Sequence, residues 1–472
     1  MNYYCGKKNA GSHSAAFIKI MKTKRNLIQI WLLCAAMLQS FTSGAQPVTK
    51  IAGGSAHSLF LKSDGSLWAM GANGEGELGD GTNNDTNLPK QIVTSNVTAI
   101  AAGHAHSLFL QSDGSLWAMG YNGEGELGDG TTNWIINHPE QVVVSNVMAI
   151  AAGSFHSLFL RRDGSLWGMG YNNNGQLGDC TYNSTNFPEQ IIASNITAVA
   201  AGLWHTLFLT RDSSLWAMGY NYDGELGDGT FGTYNPIVPY RGTNQPEQIV
   251  ASNVTAIAAG SYHSLFLKSD GSLWAMGYNG GGELGDGSYS NADLPEQIVA
   301  SNVTAIAAGE FHSLFLTRDG SLWAMGDNGF GQLGDGTYNS TNRPEQIVAS
   351  NVTAIAAGEV HSLFLKSDGS LWAMGDNGSG QLGDGTTNWI INHPEQVVPS
   401  NRISVQLFSN GSVYLSFEGL AGTNYALEST FNLTPANWIP QVTNPAGPKG
   451  VLVFTNTPVA GTNNFWRIRS VP

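Results

Sequence analysis

The sequence predicts an all-β protein, a seven-bladed β-propeller followed by a small C-terminal β-sandwich-like domain. Three observations predict it. A unit of about fifty residues recurs seven times, each unit holds four short strand-like runs, and no helical periodicity of useful length interrupts them. One four-stranded unit cannot bury both of its faces. Seven units that stack into a closed ring can, and they leave only short strand edges exposed.

Three residues mark each unit at fixed spacing. A tryptophan follows a histidine by 11 residues, and an aspartate follows that tryptophan by 12. The sets are His57, His106, His156, His205, His263, His312 and His361; Trp68, Trp117, Trp167, Trp216, Trp274, Trp323 and Trp372; and Asp80, Asp129, Asp179, Asp228, Asp286, Asp335 and Asp384. The tryptophan is expected to fill the space between neighbouring blades.

A short turn joins the second and third runs of each unit. It reads Asp-Gly in six copies, as in Asp64-Gly65, and such two-residue hairpin turns require positive φ. Copy four has Ser213 in place of the glycine. A residue with a Cβ is strained in that conformation, so we expect strain at Ser213.

Residues 1–45 are predicted to be a leader that contains a signal peptide. Residues 21–25 are basic, residues 28–38 are mainly apolar, and Ser43-Gly44-Ala45 offers small residues for cleavage. Met21 is an alternative start. We therefore expect an exported protein, extracellular or in the cell envelope, without a membrane span in the mature chain.

Charge indicates the class of partner, and cysteine content indicates how the fold is stabilised. The formal charge is −14, and the leader holds six Lys or Arg and no acidic residue, so the remaining chain carries 15 − 35 = −20. That balance disfavours nucleic acid, whose binding relies on a basic surface, and favours a basic partner. Only Cys180 lies outside the leader. An exported chain with one cysteine has no internal disulfide and depends on its core for stability.

The repeat itself resembles a known family. The pattern Ala-Ala-Gly-x-x-His-Ser, then Asp-Gly-Ser-Leu-Trp, then Gly-Gln-Leu-Gly-Asp-Gly is similar to the regulator of chromosome condensation repeat family, and copies six and seven match best. The resemblance covers residues 47–401 and implies a seven-bladed propeller. It also implies that residues 48–52 complete the last blade beside residues 395–398. Residues 402–472 lack the repeat and are expected to form the C-terminal β domain.

The repeated residues are expected to be structural, and we predict no metal site, no cofactor and no catalytic residue. One histidine per blade spreads around a ring, whereas a metal ion needs three or four converging ligands. The histidines are expected to hydrogen-bond the neighbouring loop. The aspartates are expected to cap turns. The oxygen-rich run from Asp80 to Asp85 leaves calcium open, although it lacks the glycine and terminal glutamate of an EF-hand loop.

Positions that differ between near-identical copies show where the scaffold does not dictate the residue. The pair before each marker histidine is one such set, and in the family it lies on one end face. Four consecutive copies place an aromatic residue there, which is typical of a protein interface. We predict a partner-binding face formed by Phe155, Trp204, Tyr262, Phe311, Glu310 and Glu359.

Two further sets vary as well. The position after Met-Gly holds Tyr121, Tyr171, Tyr220 and Tyr278 and then Asp327 and Asp376. Copies two and seven share one loop sequence, in which Trp134 and Trp389 are expected to anchor the loop, with exposed contact residues as the alternative.

The sequence therefore predicts an exported, non-enzymatic protein-binding scaffold that presents loops on one propeller face. Two alternatives remain. One is a carbohydrate-active enzyme that uses carboxylates of the central channel, because many acidic residues could meet there. The other is a guanine-nucleotide exchange factor, which rests on the family name alone.

Overall fold

The computed structural model describes residues 46–232 and 242–397 in full, together with short strands in residues 18–20 and 403–471. The chain divides into two units, Gln46–Val398 and a second unit of Met1–Ala45 with Pro399–Pro472. The predicted leader lies outside the described residues apart from Ile18–Ile20, as does the insertion of copy four at residues 233–241. Within the described residues, no helix is long and apolar enough to cross a membrane.

The first unit is a seven-bladed β-propeller, as predicted. Each blade is one sheet of four antiparallel strands that follow each other in chain order. The first strands contact the first strands of both neighbouring blades and therefore line the centre of the ring.

The strands of the seven blades have the following bounds. The first strands are Val48–Gly53, Val97–Ala102, Val147–Ala152, Ile196–Ala201, Val254–Ala259, Val303–Ala308 and Val352–Ala357. The second strands are His57–Lys62, His106–Gln111, His156–Arg161, His205–Thr210, His263–Lys268, His312–Thr317 and His361–Lys366. The third strands are Leu67–Gly71, Leu116–Tyr121, Leu166–Gly170, Leu215–Gly219, Leu273–Gly277, Leu322–Gly326 and Leu371–Asp376. The outer, fourth strands are Thr86–Val93, Ile135–Val143, Thr185–Ile192, Thr243–Val250, Ala292–Val299, Thr341–Val348 and Ile390–Gln396.

The ring does not close in the way that the family resemblance implies. Val48–Gly53 pairs with His57–Lys62 as the inner strand of the first blade, and it does not complete the last blade beside residues 395–398. That prediction is wrong, because each repeat already supplies four consecutive strands to its own sheet. The seam between the last and first blades is instead held by side-chain packing and by backbone bonds such as Gly385 N–H to Asn87 O at 2.9 Å.

Seven apolar clusters lie between neighbouring blades. One cluster combines Leu108, Leu110 and Leu127 of the second blade with Phe159 and Met169 of the third. The cluster at the seam resembles the others, since Phe60 and Met70 of the first blade pack against Leu363, Leu365 and Leu382 of the last.

The marker tryptophans pack at the edges of these clusters, as predicted. Trp117 packs against the cluster between the first and second blades and stacks on Phe109 of its own blade, with ring centroids 6.0 Å apart. Its Nε1–H donates to Ser115 Oγ at 2.9 Å, and Ser115 in turn donates to the Asp113 carboxylate of the hairpin turn. The tryptophan therefore joins the turn of its own blade to the core shared with the preceding blade.

The hairpin turns have the predicted backbone conformation. Gly65 has φ +75° and Ser213 has φ +65°, so Ser213 occupies the left-handed region where six other blades place glycine. A Cβ in that region costs about 1–2 kcal/mol.

The second unit contains two sheets. One pairs Ile18–Ile20, Asn464–Val471, Asn424–Thr430 and Ile439–Pro445, and the other pairs Ile403–Leu407, Val413–Glu418 and Val451–Asn456. The unit is therefore all-β where it is described, as predicted. The side chains of Trp438, Phe465 and Trp466, expected in its core, lie outside the described part.

Candidate functional site

The two ends of the propeller carry different loops. One end, here called the variable face, holds the loop between the first and second strands and the longer loop between the third and fourth strands of every blade. The other end, the hairpin face, holds the Asp-Gly turns and the links between blades. All six residues predicted for partner binding lie on the variable face.

A closed belt of hydrogen bonds lies beneath the variable face. Each marker histidine is fully buried, and its Nε2 is 2.8–3.0 Å from a Ser or Thr hydroxyl in the second strand of the next blade. The last pair, His361 with Ser58, closes the circle. In six blades that hydroxyl donates to a backbone carbonyl, as Ser107 does to Glu77 O at 2.7 Å, so the histidine Nε2–H is the donor.

The belt confirms the structural role of the histidines but corrects their partner, which is a strand of the next blade and not a loop. Burial lowers the pKa of every belt histidine from 6.5 to about 3 or 4, so all seven are neutral near pH 7. The glycine of Ala-Ala-Gly leaves room for the ring. A Cβ on Gly103 would lie 2.4 Å from His106 Cε1 and 2.4 Å from Gly153 O.

The longer loops of the variable face are built on buried polar groups. Asp129 caps its turn as predicted, because its Oδ1 accepts the Thr131 N–H at 2.8 Å. Glu126 is buried, and its Oε2 accepts the Glu124 N–H at 3.0 Å. Burial raises the pKa of Glu126 to about 7 and that of Glu225, its counterpart in the fourth blade, to about 8. These repeated acids support loops and lie outside the lining of the central cavity.

The predicted aromatic residues form a continuous surface over part of the variable face. Trp204 meets Tyr262 edge-on with ring centroids 6.2 Å apart, and Tyr262 stacks on Phe311 at 5.6 Å with the planes 15° apart. Tyr220 and Tyr278, from the position after Met-Gly, pack against these rings, with ring centroids 5.2 Å from Trp204 and 5.8 Å from Phe311, and Tyr220 is buried.

Phe155 belongs to the neighbouring part of this face. Its ring contacts His104 at 5.5 Å and Tyr171 at 6.4 Å, on the side towards the second blade. All four predicted aromatic residues are half-buried. The set Phe155, Trp204, Tyr262 and Phe311 is called the aromatic arc below.

The predicted acidic residues lie at the mouth of the central channel. Glu359 Oε1 is 2.5 Å from His104 Nδ1, and Glu359 Oε2 accepts the Ser55 hydroxyl at 2.7 Å. Hydrogen bonding to Glu359 raises the pKa of His104 above its usual value. Glu310 is joined to this group through its backbone, since its N–H donates to Glu359 O at 3.0 Å. Its carboxylate accepts no hydrogen bond and forms no ion pair within the described part of the chain.

Sequence reasoning missed His104 and Ser55 as members of this group. Both occupy the same variable position as Glu310 and Glu359, two residues before the marker histidine. This shared position in the repeat is the signal by which the sequence could have identified His104 and Ser55.

The exposed tryptophans differ from their expected role. Trp134 and Trp389 are 70% and 79% exposed, so they do not anchor their loops, and that prediction is wrong. The identical loops pack through Ile136 and Ile391 instead, which are 8% exposed. Each loop therefore buries its isoleucine and leaves its tryptophan in solvent.

Among the described residues, no group of three or more His, Cys, Asp or Glu side chains is arranged to hold a metal ion. The site is therefore a face of mixed aromatic and acidic character around a narrow central opening, above a neutral histidine belt.

The fold and this face place the chain among propellers built from tandem repeats whose end-face loops vary. A family model for the RCC1-like domain matches residues 35–248 and 193–416. The chain belongs to this family, as the repeat pattern predicts.

Solved structures share the fold at low sequence identity. Human WBSCR16 has 21% identity and a TM-score of 0.62, over 72% of this chain and 96% of that chain. Prp20p from Saccharomyces cerevisiae, described with its binding properties to Gsp1p and histones, has 23% identity and a TM-score of 0.59, over 68% of this chain and 84% of that chain. Yeast RCC1 (Prp20) bound to Kap60 has 24% identity and a TM-score of 0.57, over 66% and 78%. These similarities show a shared fold.

Proposed function

We propose that this protein is an exported, non-enzymatic binding scaffold whose variable face binds a protein partner. The continuous aromatic surface of Trp204, Tyr262 and Phe311 carries this proposal. Clustered aromatic side chains at a partly exposed surface supply most of the binding energy in many protein interfaces. The repeat does not require them, because the same position holds alanine in the first two blades, Ala56 and Ala105.

Charge supports a basic partner. The chain beyond residue 45 has a formal charge of −20, and Glu310 and Glu359 lie beside the aromatic arc. Complementary charge accelerates encounter and selects the partner, while the aromatic contacts slow dissociation.

The family adds support for a protein partner. Prp20p binds Gsp1p and histones, and it has been crystallised with Kap60. A protein of this family can therefore bind several proteins. The export part of the proposal rests on the signal-type sequence at residues 21–45 and is tested by N-terminal sequencing of the protein recovered from medium and envelope fractions.

The enzyme alternative has less support. The cavity at the channel mouth measures about 190 Å³, below the roughly 300–1,000 Å³ of typical small-molecule sites. Glu359 is already engaged by His104 and Ser55, which leaves one unengaged carboxylate where glycoside cleavage uses two.

Affinity capture tests the proposed function. The baits are the unmodified full-length protein, a variant with Ser at all four positions of the aromatic arc, and a control with Val144→Ser and Met148→Thr on the hairpin side. The control removes apolar side chains that are 74% and 50% exposed, and six blades already carry Thr at the position of Met148.

The expected result is a protein retained by the unmodified and control baits and lost from the arc variant. Far-UV circular dichroism and urea unfolding confirm that each bait is folded. Equal capture by the folded arc variant, or no specific capture by the unmodified protein, would contradict the proposed function.

A further inference from the structure

The seven-fold ring encloses a cavity at the centre of the variable face. The residues at the ends of the first strands line it, an Ala-Gly pair in six blades and Gly53-Gly54 in the first, so most of its wall is backbone. The residue after each glycine completes the rim, and this position differs from blade to blade: Ser55, His104, Ser154, Leu203, Ser261, Glu310 and Glu359. The chemistry of the cavity is therefore set by a few side chains on an otherwise uniform ring.

The rim is asymmetric in charge. Of its two carboxylates, Glu359 is engaged by His104 and Ser55, and Glu310 on the preceding blade is not engaged by any described side chain. A half-buried carboxylate without a partner is costly, and a cation that enters the cavity would remove that cost. Calcium needs six to eight oxygen ligands, and one unengaged carboxylate on a rim of backbone, serine and leucine does not supply them.

An aromatic stack stands beside this carboxylate. Phe311 directly follows Glu310 in the chain and stacks on Tyr262. Burial raises the pKa of Tyr262, and the neighbouring charges of Glu310 and Glu359 raise it further. A planar guanidinium group both pairs with a carboxylate and stacks on an aromatic face, which an ammonium group does less well.

The size of the cavity selects one side chain and not a free ligand. Its volume of about 190 Å³ is smaller than typical small-molecule sites. It lies next to a surface that we assign to a protein partner, so the cation is best supplied by that partner.

We propose that the rim of the central cavity binds one arginine side chain of the partner protein, with its guanidinium group paired with Glu310 and stacked on the Tyr262–Phe311 pair, which lies beside the cavity and outside its lining. This inference rests on the proposed function and names the chemistry that the variable face recognises.

A pair of peptides tests the arginine directly. One short peptide carries a single arginine, and the second carries citrulline, which has the same shape without the charge. Calorimetry or ligand-observed NMR compares their binding to the unmodified full-length protein, to Glu310→Gln and to the control Glu345→Gln. Glu345 is exposed on the outer strand of the same blade, so the control removes the same charge away from the cavity.

The expected result is binding of the arginine peptide to the unmodified and Glu345→Gln proteins, with at least a tenfold weaker affinity for Glu310→Gln and for citrulline. Equal binding of both peptides, equal binding to Glu310→Gln, or no binding to the unmodified protein would overturn the inference. Glu310→Ser serves as a second variant that the fold tolerates, because three other blades carry serine at this position.

The pH dependence gives a second readout. Burial and the nearby Glu359 raise the pKa of Glu310 to about 7, while His104 and Asp327 also face it. The ionised share of Glu310 falls about tenfold between roughly pH 8 and pH 6, so the affinity for the arginine peptide should fall by about the same factor. An affinity that is constant over this range would contradict the pairing.

The outcomes separate the two proposals. If the arginine peptide fails while the aromatic arc variant still loses the partner protein, the cavity assignment is wrong and the binding face remains. If the arc variant captures the partner normally, the proposed function fails whatever the peptides do.

Discussion

At the hairpin face, neighbouring blades carry nearly the same residues, whereas at the variable face the same scaffold holds alanine, phenylalanine, tryptophan, tyrosine or valine at one equivalent position. Each face is supported by a repeated network. Beneath the variable face, histidines bond to the next blade, as His205 does to Ser264. At the hairpin face, an aspartate, a serine and a tryptophan bond within one blade, as do Asp270, Ser272 and Trp274.

The two hydrogen-bond networks differ in which surface residues they allow to vary. The hairpin network uses the turn residues themselves, so changing them breaks the turn. The histidine belt uses residues beneath the surface, and the two residues before each histidine are left to vary. Diversity of the kind that binding requires is therefore tolerated at one face only.

The largest effect is expected where the hairpin network meets the core between blades. Trp117→Ala should lower the free energy of unfolding by about 3–5 kcal/mol, because the stack on Phe109 and the packing against the first blade are lost. Urea denaturation measures it. Trp134→Ala in the same blade removes a side chain that is 70% exposed and should stay within about 0.5 kcal/mol. Similar losses in both variants would show that exposure does not separate the two tryptophans.

The belt beneath the variable face should make stability depend on pH. Burial lowers the pKa of His205 from 6.5 to about 4, so its stabilising contribution is complete above about pH 6.5 and is lost as the pH falls towards about 4. Each such histidine contributes a slope of up to about 1.4 kcal/mol per pH unit in that window. Buried glutamates with raised pKa values act in the opposite direction, so the comparison needs a variant.

His205→Asn removes one titrating group from the belt. Its unfolding free energy, measured by urea denaturation at several pH values between about 4.5 and 7, should depend less on pH than that of the unmodified protein. Trp134→Ala removes an exposed side chain that does not titrate, so it serves as the control and should keep the original slope. An unchanged slope in His205→Asn would show that the belt histidine does not titrate as its burial requires.

The hairpin network is incomplete in the sixth blade. There Ser321 Oγ donates to Ala349 O, and the buried Trp323 Nε1–H has no hydrogen-bond partner among the residues that the structure describes. Trp323→Phe should therefore cost about 1 kcal/mol less than Trp274→Phe, because only Trp274 loses a hydrogen bond. Thermal or urea unfolding of the two variants measures this difference. Equal losses of stability would mean that the hydrogen bond from Trp274 to Ser272 contributes no stability.

The smallest effect concerns the backbone of the hairpin face. Ser213→Gly should raise the unfolding free energy by about 0.5–1 kcal/mol. Glycine adopts φ +65° without a Cβ penalty, and the larger conformational entropy that glycine loses on folding offsets part of this gain. The reverse change, Gly114→Ser at the equivalent turn of the second blade, should lower stability by a similar amount. A stabilised Gly114→Ser would contradict the strain argument.

Much of the fold was predictable because the same repeat unit occurs seven times in the sequence. The marker histidine, tryptophan and aspartate recur at fixed spacing, and the structure places each set at equivalent points of seven four-stranded sheets. The positive φ of Ser213 also followed from the sequence, since the other six turns hold glycine there. Aromatic residues at one variable position of consecutive copies predicted neighbouring rings, and Trp204, Tyr262 and Phe311 are neighbours.

Other features depend on contacts between distant segments, which local pattern does not encode. The sequence alone determined the number of blades and the strands within each blade, because these follow from short-range spacing repeated along the chain. The face on which variation collects was implied by the family resemblance. Only the tertiary structure decided that the ring closes by packing and not by strand exchange, that His361 completes the belt on Ser58, and that His104 engages Glu359 from 255 residues away and leaves Glu310 unpaired. Closing the ring brings the first two blades next to the last, and only then do these groups come within hydrogen-bonding distance.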